Sequence, residues 1–347
     1  PPTAEISAPE HMDDITGVTD IVGTATDANL LRYTLAYSPH DSSAYTTFAT
    51  GTSPVANDTL GSVDTTTIRN GLYDIRLTVE DTSGNTTTSV RVCQVEHPVK
   101  IGQFRIRLVD LKIPVIGVNI EIIRTYDSQD LVPGDFGYGW TMGLTDVRIY
   151  ETQPMGQGWH MSASGGSFQS YSLQEPEPHF VAVAFPDDRL DVFSLKVDPR
   201  TSLFHTWWEA TASFTPFDGT ASTLEALGTN LIATDVGPGD VNLWLWDFSG
   251  IYDPQIYRLT TSQGFVYVIH KENGLQSITS PNGHTVNFSA DGITHSAGRG
   301  VGIVRDEQGR ITSITDPLGN TRSYQYDAYG DLVGSVDPVG GTTRYLY

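Results

Sequence analysis

The chain has 347 residues, of which 41 are acidic and 20 are basic, so its formal net charge is −21. A strongly acidic chain lacks the clustered Lys and Arg that phosphate binding needs, and nucleic acid is therefore excluded as the expected partner. One cysteine, Cys93, allows no disulfide within the chain, and no apolar run reaches about 18 residues, so no membrane-spanning helix is predicted. The 34 glycines and 19 prolines predict an all-β fold of many short strands and turns.

Residues 1–97 are predicted to form a β-sandwich. Apolar and polar residues alternate over 73–80, which is the pattern of a half-buried strand, and a turn at 83–85 leads to a second strand over 87–95. Further strands are expected over 19–26, 31–37 and 45–49. The segment 71–85, GLYDIRLTVEDTSGN, resembles bacterial immunoglobulin-like and fibronectin-III-like modules. Strands spaced by about 8–12 residues agree with such a sandwich.

Residues 98–270 are predicted to form an irregular, β-rich lead-in or cap domain. The boundary is placed at Pro98, because proline cannot donate to a sheet and restricts the residue before it. Strands over 104–108 and 118–122 should pair as a hairpin across 114–117. The one helix expected in the chain is short and covers 222–227.

Four of the six tryptophans lie in two strand-like runs of this segment: Trp207, Trp208, Trp244 and Trp246. Burial in a core or plug is the favoured interpretation, and burial is also expected for Trp140, which ends a run of alternating glycines and aromatic residues. The alternative is a carbohydrate-binding platform, because aromatic faces stack on sugar rings.

The last 42 residues are two copies of a 21-residue unit, since 306–326 (DEQGRITSITDPLGNTRSYQY) superimposes on 327–347 (DAYGDLVGSVDPVGGTTRYLY). A degenerate copy covers 273–285, so 271–347 is predicted to hold one degenerate and two regular repeats. The residues that define the regular units are Asp316, Pro317, Gly319, Tyr324 and Tyr326, and then Asp337, Pro338, Gly340, Tyr345 and Tyr347.

The chemistry of the unit predicts strands joined by Asp-Pro-x-Gly turns. Asp suits the first turn position, Pro presets φ at the second, and Gly supplies a positive φ. The two tyrosines of each unit are two residues apart and therefore share one strand face. Rings stacked at the repeat period can form a ladder between neighbouring units. We expect 271–347 to form antiparallel hairpins of one sheet, without helix.

Residues 309–321 with 324–327 resemble the YD-repeat, or Rhs, family, and 122–140 is similar to the region ahead of the repeats in such proteins. The resemblance implies a β-hairpin shell that encloses a C-terminal polypeptide, often a toxin. It implies a non-catalytic, structural part of a bacterial protein that is secreted or lies on the cell surface. The expected partners are downstream repeats and a C-terminal cargo of the same polypeptide, because a third repeat would begin after Tyr347.

A rival hypothesis is an adhesin that binds a cell-surface glycan through the immunoglobulin-like module and exposed tryptophans. An enzyme is not expected, since the sequence contains no nucleophile elbow, HExxH, P-loop or dinucleotide motif. Family members cut themselves near Asp-Pro motifs, but Asp316 and Asp337 sit at identical phase inside repeats and are interpreted as turn residues.

No cofactor or metal is expected, and His284 and His295 are interpreted as turn or surface histidines rather than ligands. Calcium is the alternative, because it favours carboxylates on loops. The candidate ligands are Asp13, Asp14 and Asp27, or Asp235 and Asp240, and neither group has EF-hand spacing.

Overall fold

A computed structural model describes residues 1–347 except 98–99, 144–145, 166–168, 204–208 and 235–236. The described residues are mostly in strands, and they contain no α-helix and a single 3₁₀ turn, Thr65–Thr67. The predicted all-β fold is confirmed. The chain divides into two compact units, Pro1–Phe104 and Arg105–Tyr347; the three-part division at 97 and 270 stays a prediction.

The first unit consists of two sheets around one hydrophobic core. Its strands are β1 (Thr3–Ala8), β2 (Asp14–Ile15), β3 (Val18–Thr26), β4 (Leu30–Pro39), β5 (Thr46–Gly51), β6 (Val55–Asp64), β7 (Gly71–Asp81) and β8 (Thr86–Val95). The strand orders are β1-β3-β6 and β2-β8-β7-β4-β5. Ile75 and Leu77 of β7 face Ile21 of β3 in the core. The predicted strands are all present, and the immunoglobulin-like assignment stays a prediction.

The second unit begins with residues 105–142, which belong to the first part of the predicted lead-in or cap domain. We name these residues the lead-in segment. Its strands are β9 (Arg105–Ile113), β10 (Ile120–Asp127), β11 (Pro133–Gly134), β12 (Gly137–Tyr138) and β13 (Trp140–Met142). β9 and β10 pair antiparallel, so the predicted hairpin is confirmed, and β13 joins the other side of β10. β11 and β12 form a two-stranded ribbon in the glycine-rich loop.

The middle of the second unit is a pair of antiparallel sheets with the orders β14-β17-β18-β20-β22-β24 and β19-β16-β15-β23. These strands are β14 (Arg148–Glu151), β15 (Trp159–Ser164), β16 (Ser170–Gln174), β17 (Phe180–Ala184), β18 (Leu190–Asp198), β19 (Thr201–Leu203), β20 (Glu209–Pro216), β22 (Leu231–Thr234), β23 (Gly239–Val241) and β24 (Leu243–Leu245). Trp159, Phe193 and Ile232 lie in the core between them.

An 11-stranded antiparallel sheet completes the unit, in the order β21-β25-β26-β27-β28-β29-β30-β31-β32-β33-β34. Its strands are β21 (Thr223–Ala226), β25 (Ile256–Thr260), β26 (Val266–His270), β27 (Gly274–Thr279), β28 (Thr285–Ser289), β29 (Gly292–His295), β30 (Gly300–Arg305), β31 (Ile311–Thr315), β32 (Thr321–Tyr326), β33 (Leu332–Val336) and β34 (Thr342–Arg344). The prediction that 271–347 forms hairpins of one sheet is confirmed, and the sheet starts earlier than expected.

The predicted helix over 222–227 is wrong, because this segment contains the edge strand β21. Leu224 and Ala226 are buried, whereas Thr223 and Glu225 are exposed, which is the period of two that a strand requires. β21 pairs antiparallel with β25, and the apolar residues face the core of the middle sheets. Six residues are too few to show a helical period, so pairing with the long sheet decides the structure.

Two parts of the second unit cover the long sheet. Tyr257 and Ile269 on its first strands belong to the core of the middle sheets. Val286, Ile303 and Leu332 on its later strands share a second core with the lead-in segment. The site described next lies in this second core.

Candidate functional site

The regular repeats share one turn geometry, in which an aspartate caps the backbone. Asp316 Oδ1 accepts hydrogen bonds from the backbone N–H of Leu318 at 2.8 Å and of Asn320 at 2.9 Å. The N–H of Gly319 donates to the Asp316 carbonyl at 3.0 Å, and Gly319 has a φ of +85°, which favours glycine. Pro317 occupies the position after the aspartate, as predicted from the sequence.

The same bonds recur at the turns that begin with Asp306, Asp327 and Asp337, each closed by a glycine three residues later, Gly309, Gly330 and Gly340. Pro338 stands after Asp337 as Pro317 stands after Asp316. The turns at Asp306 and Asp327 lie at one edge of the sheet and those at Asp316 and Asp337 at the other, because successive strands of a meander reverse direction.

Earlier turns of the sheet replace the aspartate by another acceptor. Ser280 Oγ accepts from the N–H of His284 at 3.1 Å, and Thr261 Oγ1 accepts from the N–H of Phe265 at 3.1 Å. His295 Nδ1 accepts from the N–H of Ala297 at 2.9 Å. The turns at 261 and 295 were missed in the sequence. The sequence signal that marks these two turns is a polar residue followed by a glycine three positions later.

The second tyrosine of each unit closes that unit on itself. Tyr326 Oη donates to the Ile311 carbonyl at 2.5 Å, and Tyr347 Oη donates to the Leu332 carbonyl at 2.8 Å. Both bonds span 15 residues. The two donor tyrosines are 21 residues apart, and so are the two acceptor carbonyls. The hydrogen bond therefore repeats with the period of the sequence.

The first tyrosine of each unit binds the lead-in segment. Tyr324 Oη donates to Asp110 Oδ2 at 2.7 Å, and Tyr345 Oη accepts from Arg124 Nη2 at 3.0 Å. The Tyr324 ring meets Phe136 edge-on at a centroid distance of 4.9 Å, and the Tyr345 ring meets the buried Trp140 at 5.2 Å. Two successive repeats therefore contact one group of lead-in side chains.

An ion pair of Arg124 and Asp110 stands at the centre of this group. Arg124 Nε and Nη2 both donate to the Asp110 carboxylate, the latter at 3.0 Å, and the side chains are 2% and 4% exposed. Four rings surround the guanidinium at 5.0–5.6 Å: Phe136, Trp140, Tyr324 and Tyr345. We name these six residues the capping cluster. Arg124 Nη1 has no hydrogen-bond partner among the described residues, and the ring faces partly compensate its charge.

Burial and the ion pair shift the pKa values of Tyr324 and Arg124 in this cluster, and burial shifts those of the neighbouring Tyr326 and Tyr347. Burial raises the pKa of Tyr324, and the charge of Asp110 raises it further. Burial also raises the pKa of Tyr326, and it raises the pKa of Tyr347 to about 12. For Arg124, burial lowers the pKa, but the hydrogen bond to Asp110, the charge of Asp110 and the hydrogen bond to Tyr345 together outweigh it, so the pKa is raised. Tyr324 is therefore a neutral phenol that donates to the carboxylate of the ion pair.

Residues 305–347 match the RHS repeat family. That segment contains the four aspartate turns and both tyrosine pairs. No curated protein matches the chain.

Among solved structures, the protocadherin gamma B4 extracellular domain is 12% identical, with a TM-score of 0.17, and the match covers 99% of this chain and 61% of that one. The chain thus spans less than two thirds of that protein. Extracellular cadherin domains 3–6 of protocadherin gamma B2 are 10% identical over 78% of this chain and 69% of theirs, with a TM-score of 0.15.

The tryptophans ahead of the RHS repeats differ in burial. Trp140 is buried, as expected, and its Nε1 donates to Tyr347 Oη at 2.7 Å. Trp244 and Trp246, at and just beyond β24, are only half-buried. Trp207 and Trp208 lie outside the described residues.

The described residues contain no group of three or more His, Cys, Asp or Glu side chains arranged to hold a metal ion. His284 and His295 stack with ring centroids 6.1 Å apart, and His295 is buried rather than at the surface. Among the calcium candidates, Asp13 and Asp27 accept backbone hydrogen bonds, Asp14 lies in β2, Asp240 contacts His160 at 3.1 Å, and Asp235 lies outside the described residues.

A second polar group, which the sequence did not reveal and which is centred on the buried Glu151 side chain, joins the middle strands to the long sheet. Lys271 Nζ binds Glu151 at 2.6 Å and Asp253 at 2.9 Å, and Tyr257 Oη donates to Glu151 at 2.7 Å. Burial raises the pKa of Glu151 against these partners. Its carboxylate is already bound by Lys271 and Tyr257, so we interpret the group as structural.

Within the described ranges, no helix is long and apolar enough to cross a membrane.

Proposed function

We propose that this chain is a non-catalytic, structural part of a bacterial YD-repeat (Rhs-type) protein that is secreted or exposed at the cell surface. The middle strands cover the first strands of the repeat sheet, and the lead-in segment covers its later strands. The sheet goes on to enclose or display a C-terminal cargo, such as a toxin, in the same polypeptide. The single observation that carries the proposal is the capping cluster, in which tyrosines of two successive RHS repeats bind one lead-in ion pair.

A cap is needed because repeat units bury their apolar faces only against neighbours. The first units of an array also present strand edges that favour unwanted pairing. Ile122, Phe136 and Trp140 of the lead-in segment are buried against the sheet. At the start of the sheet, the edge strand β21 pairs with β25. These contacts support a covering function for the segment ahead of the repeats.

Arg124→Met tests the capping function. The substitution leaves Asp110 in the core without its main cation, and breaking a buried ion pair costs about 3–5 kcal/mol. We expect hydrogen exchange of the amides in 306–347 to quicken and the urea midpoint of the second unit to fall. The matched control is Arg258→Met, which removes an exposed ion pair with Glu225 from the same sheet. Equal protection of 306–347 in both variants would contradict the cap.

Enclosure of a cargo is tested in a polypeptide that carries downstream repeats and a C-terminal domain. If the shell encloses the cargo, we expect the C-terminal domain to resist added protease in the wild type and in the control variant Arg258→Met. In Arg124→Met, whose cap is weakened, the same domain should become cleavable. A C-terminal domain that is digested equally fast in all three proteins would contradict enclosure while leaving the cap itself intact.

A further inference from the structure

A polar groove of about 810 Å³ lies where the glycine-rich loop of the lead-in segment meets one edge of the repeat sheet. The turns that begin with Asp306 and Asp327 form one wall, and residues 133–141 form the other. Side chains that line it include Asp135, Tyr138, Arg305, Gln308, Arg310 and Tyr329. Its volume lies in the range of about 300–1,000 Å³ that small-molecule sites occupy.

The charges of the lining cancel. Three arginines and three aspartates contribute, so the formal sum is zero. Each arginine is held by a carboxylate at 2.7 Å: Arg305 by Asp135, Arg310 by Asp306 and Arg148 by Asp146. An anionic ligand would have to break these pairs. Guanidinium N–H groups and carboxylate oxygens side by side instead match hydroxyl groups, which both donate and accept.

Two tyrosine rings border the groove and remain accessible. Tyr138 is 43% exposed and Tyr329 is 85% exposed. Aromatic faces offer a stacking surface to the apolar C–H face of a sugar ring. Among the residues that the structure describes, the lining contains no Leu, Ile, Val, Phe or Met. The groove therefore lacks the apolar subsites that peptide side chains would fill.

The walls of the groove are fixed before any ligand arrives. The N–H of Ile311 donates to the Asp135 carbonyl at 2.8 Å, which joins the loop to the repeat sheet. Gly137 has a φ of +90°, and a Cβ there would lie 2.3 Å from the Gly330 carbonyl oxygen, so the loop backbone sits directly on the turn. A preformed site avoids the entropic cost of ordering loops on binding.

We propose that this groove binds a short segment of a neutral oligosaccharide, with Tyr138 and Tyr329 stacking on the sugar rings. Arg305, Arg310, Asp135 and Gln308 hydrogen-bond to its hydroxyl groups. This inference goes beyond the structural function and uses none of the four tryptophans considered above.

The test begins with an array of neutral, sialylated and uronic-acid oligosaccharides probed with the whole chain. The neutral oligosaccharide with the strongest signal is then titrated by calorimetry against variants. We expect Tyr138→Ala and Tyr329→Ala each to weaken binding about tenfold, the loss for one aromatic contact of roughly 1.4 kcal/mol. The control is Leu318→Ala, which removes an 80% exposed side chain at the same turn position on the opposite edge of the sheet.

The melting temperatures separate this proposal from the capping function. Tyr329→Ala should melt like the wild type, because its ring lies outside the capping cluster. Absence of binding to any neutral oligosaccharide, preference for the acidic ones, or equal binding by the wild type and both tyrosine variants would each overturn the proposal. Equal losses in Leu318→Ala and Tyr329→Ala would also overturn it.

Discussion

Tyr324 combines three constraints in one side chain. Its ring packs on Phe136, its hydroxyl donates to the buried Asp110, and its backbone belongs to a central strand of the repeat sheet. A phenol suits this position because it is apolar along the ring and polar at the tip. Ionised, the same group would place a second negative charge beside Asp110.

The burial of Tyr324 predicts that the protein becomes less stable at alkaline pH. A tyrosine in the unfolded chain titrates near pH 10, whereas burial raises the pKa of Tyr324 in the folded chain. The unfolded state therefore loses its proton first, and the free energy of unfolding falls as pH rises above about 10. Below that pH this contribution is fully present. Urea midpoints measured between pH 8 and 11.5 should show the decline.

Tyr324→Phe should flatten that decline by about 1.4 kcal/mol per pH unit, because one linked proton is removed. Near neutral pH it should lower the free energy of unfolding by about 1.5–3 kcal/mol, the usual contribution of a hydrogen bond to a charged group. The exposed Tyr329→Phe is the control. Identical slopes in wild type and Tyr324→Phe would refute the assignment.

At the residue scale, the sequence predicted the tyrosine pairs but not their partners. Spacing alone places Tyr324 and Tyr326 on one strand face and assigns them to the repeats. Asp110 lies 214 residues before Tyr324. No periodicity connects an arginine in a hairpin to a ring in a distant repeat, so only tertiary packing could reveal the cluster.

At the scale of elements, the hairpin turn is what makes the sheet regular. Each aspartate turn uses one side-chain acceptor to bind two backbone N–H groups and one glycine to close the reversal. Hydrogen bonding from Asn320 holds the pKa of Asp316 below its usual value, so the carboxylate remains an acceptor in mild acid.

Asp316→Ala should loosen one turn while leaving the others closed. The N–H groups of Leu318 and Asn320 lose their side-chain acceptor, and hydrogen exchange at these two amides should accelerate. The matched control is Glu307→Ala, an exposed position of the neighbouring Asp306 turn. Unchanged exchange at both amides would show that the backbone alone fixes the turn.

The turns also show which elements can be predicted from local sequence alone. Asp-Pro-x-Gly could be identified from its letters, because proline and glycine restrict the backbone at fixed positions. Thr261 and His295 begin similar turns without that signature, so the hairpins that these two turns close were not predicted. β21 was mistaken for a helix, since its partner strand comes more than 30 residues later.

At the scale of the second unit, one continuous sheet has two covers with different tryptophans. Trp140 lies within the capping cluster, whereas Trp244 is half-buried in β24, the edge strand of one middle sheet. Trp140→Ala should cost about 3–5 kcal/mol, as for other fully buried aromatic rings. Trp244→Ala should cost clearly less. Equal thermal midpoints for the two variants would mean that Trp140 contributes no more to the fold than a half-buried ring.

Metal removal should leave the chain folded as before. Bound ions stabilise a native state by mass action, and their removal lowers the melting temperature. With no metal cluster among the described residues, EDTA is expected to shift the melting temperature by less than about 2 °C, below the shift that roughly 1 kcal/mol produces. A larger fall, reversed by added calcium, would revive the calcium alternative.

The bond from each second tyrosine to a carbonyl 15 residues earlier governs which changes of length the array tolerates. Duplicating or deleting a whole unit keeps every ring opposite its acceptor and every turn on its own edge. Losing half a unit, about 10 or 11 residues, moves the next turn to the opposite edge and separates Tyr326 or Tyr347 from its carbonyl. Gene duplication in steps of one repeat can therefore lengthen the sheet while the cap stays as it is.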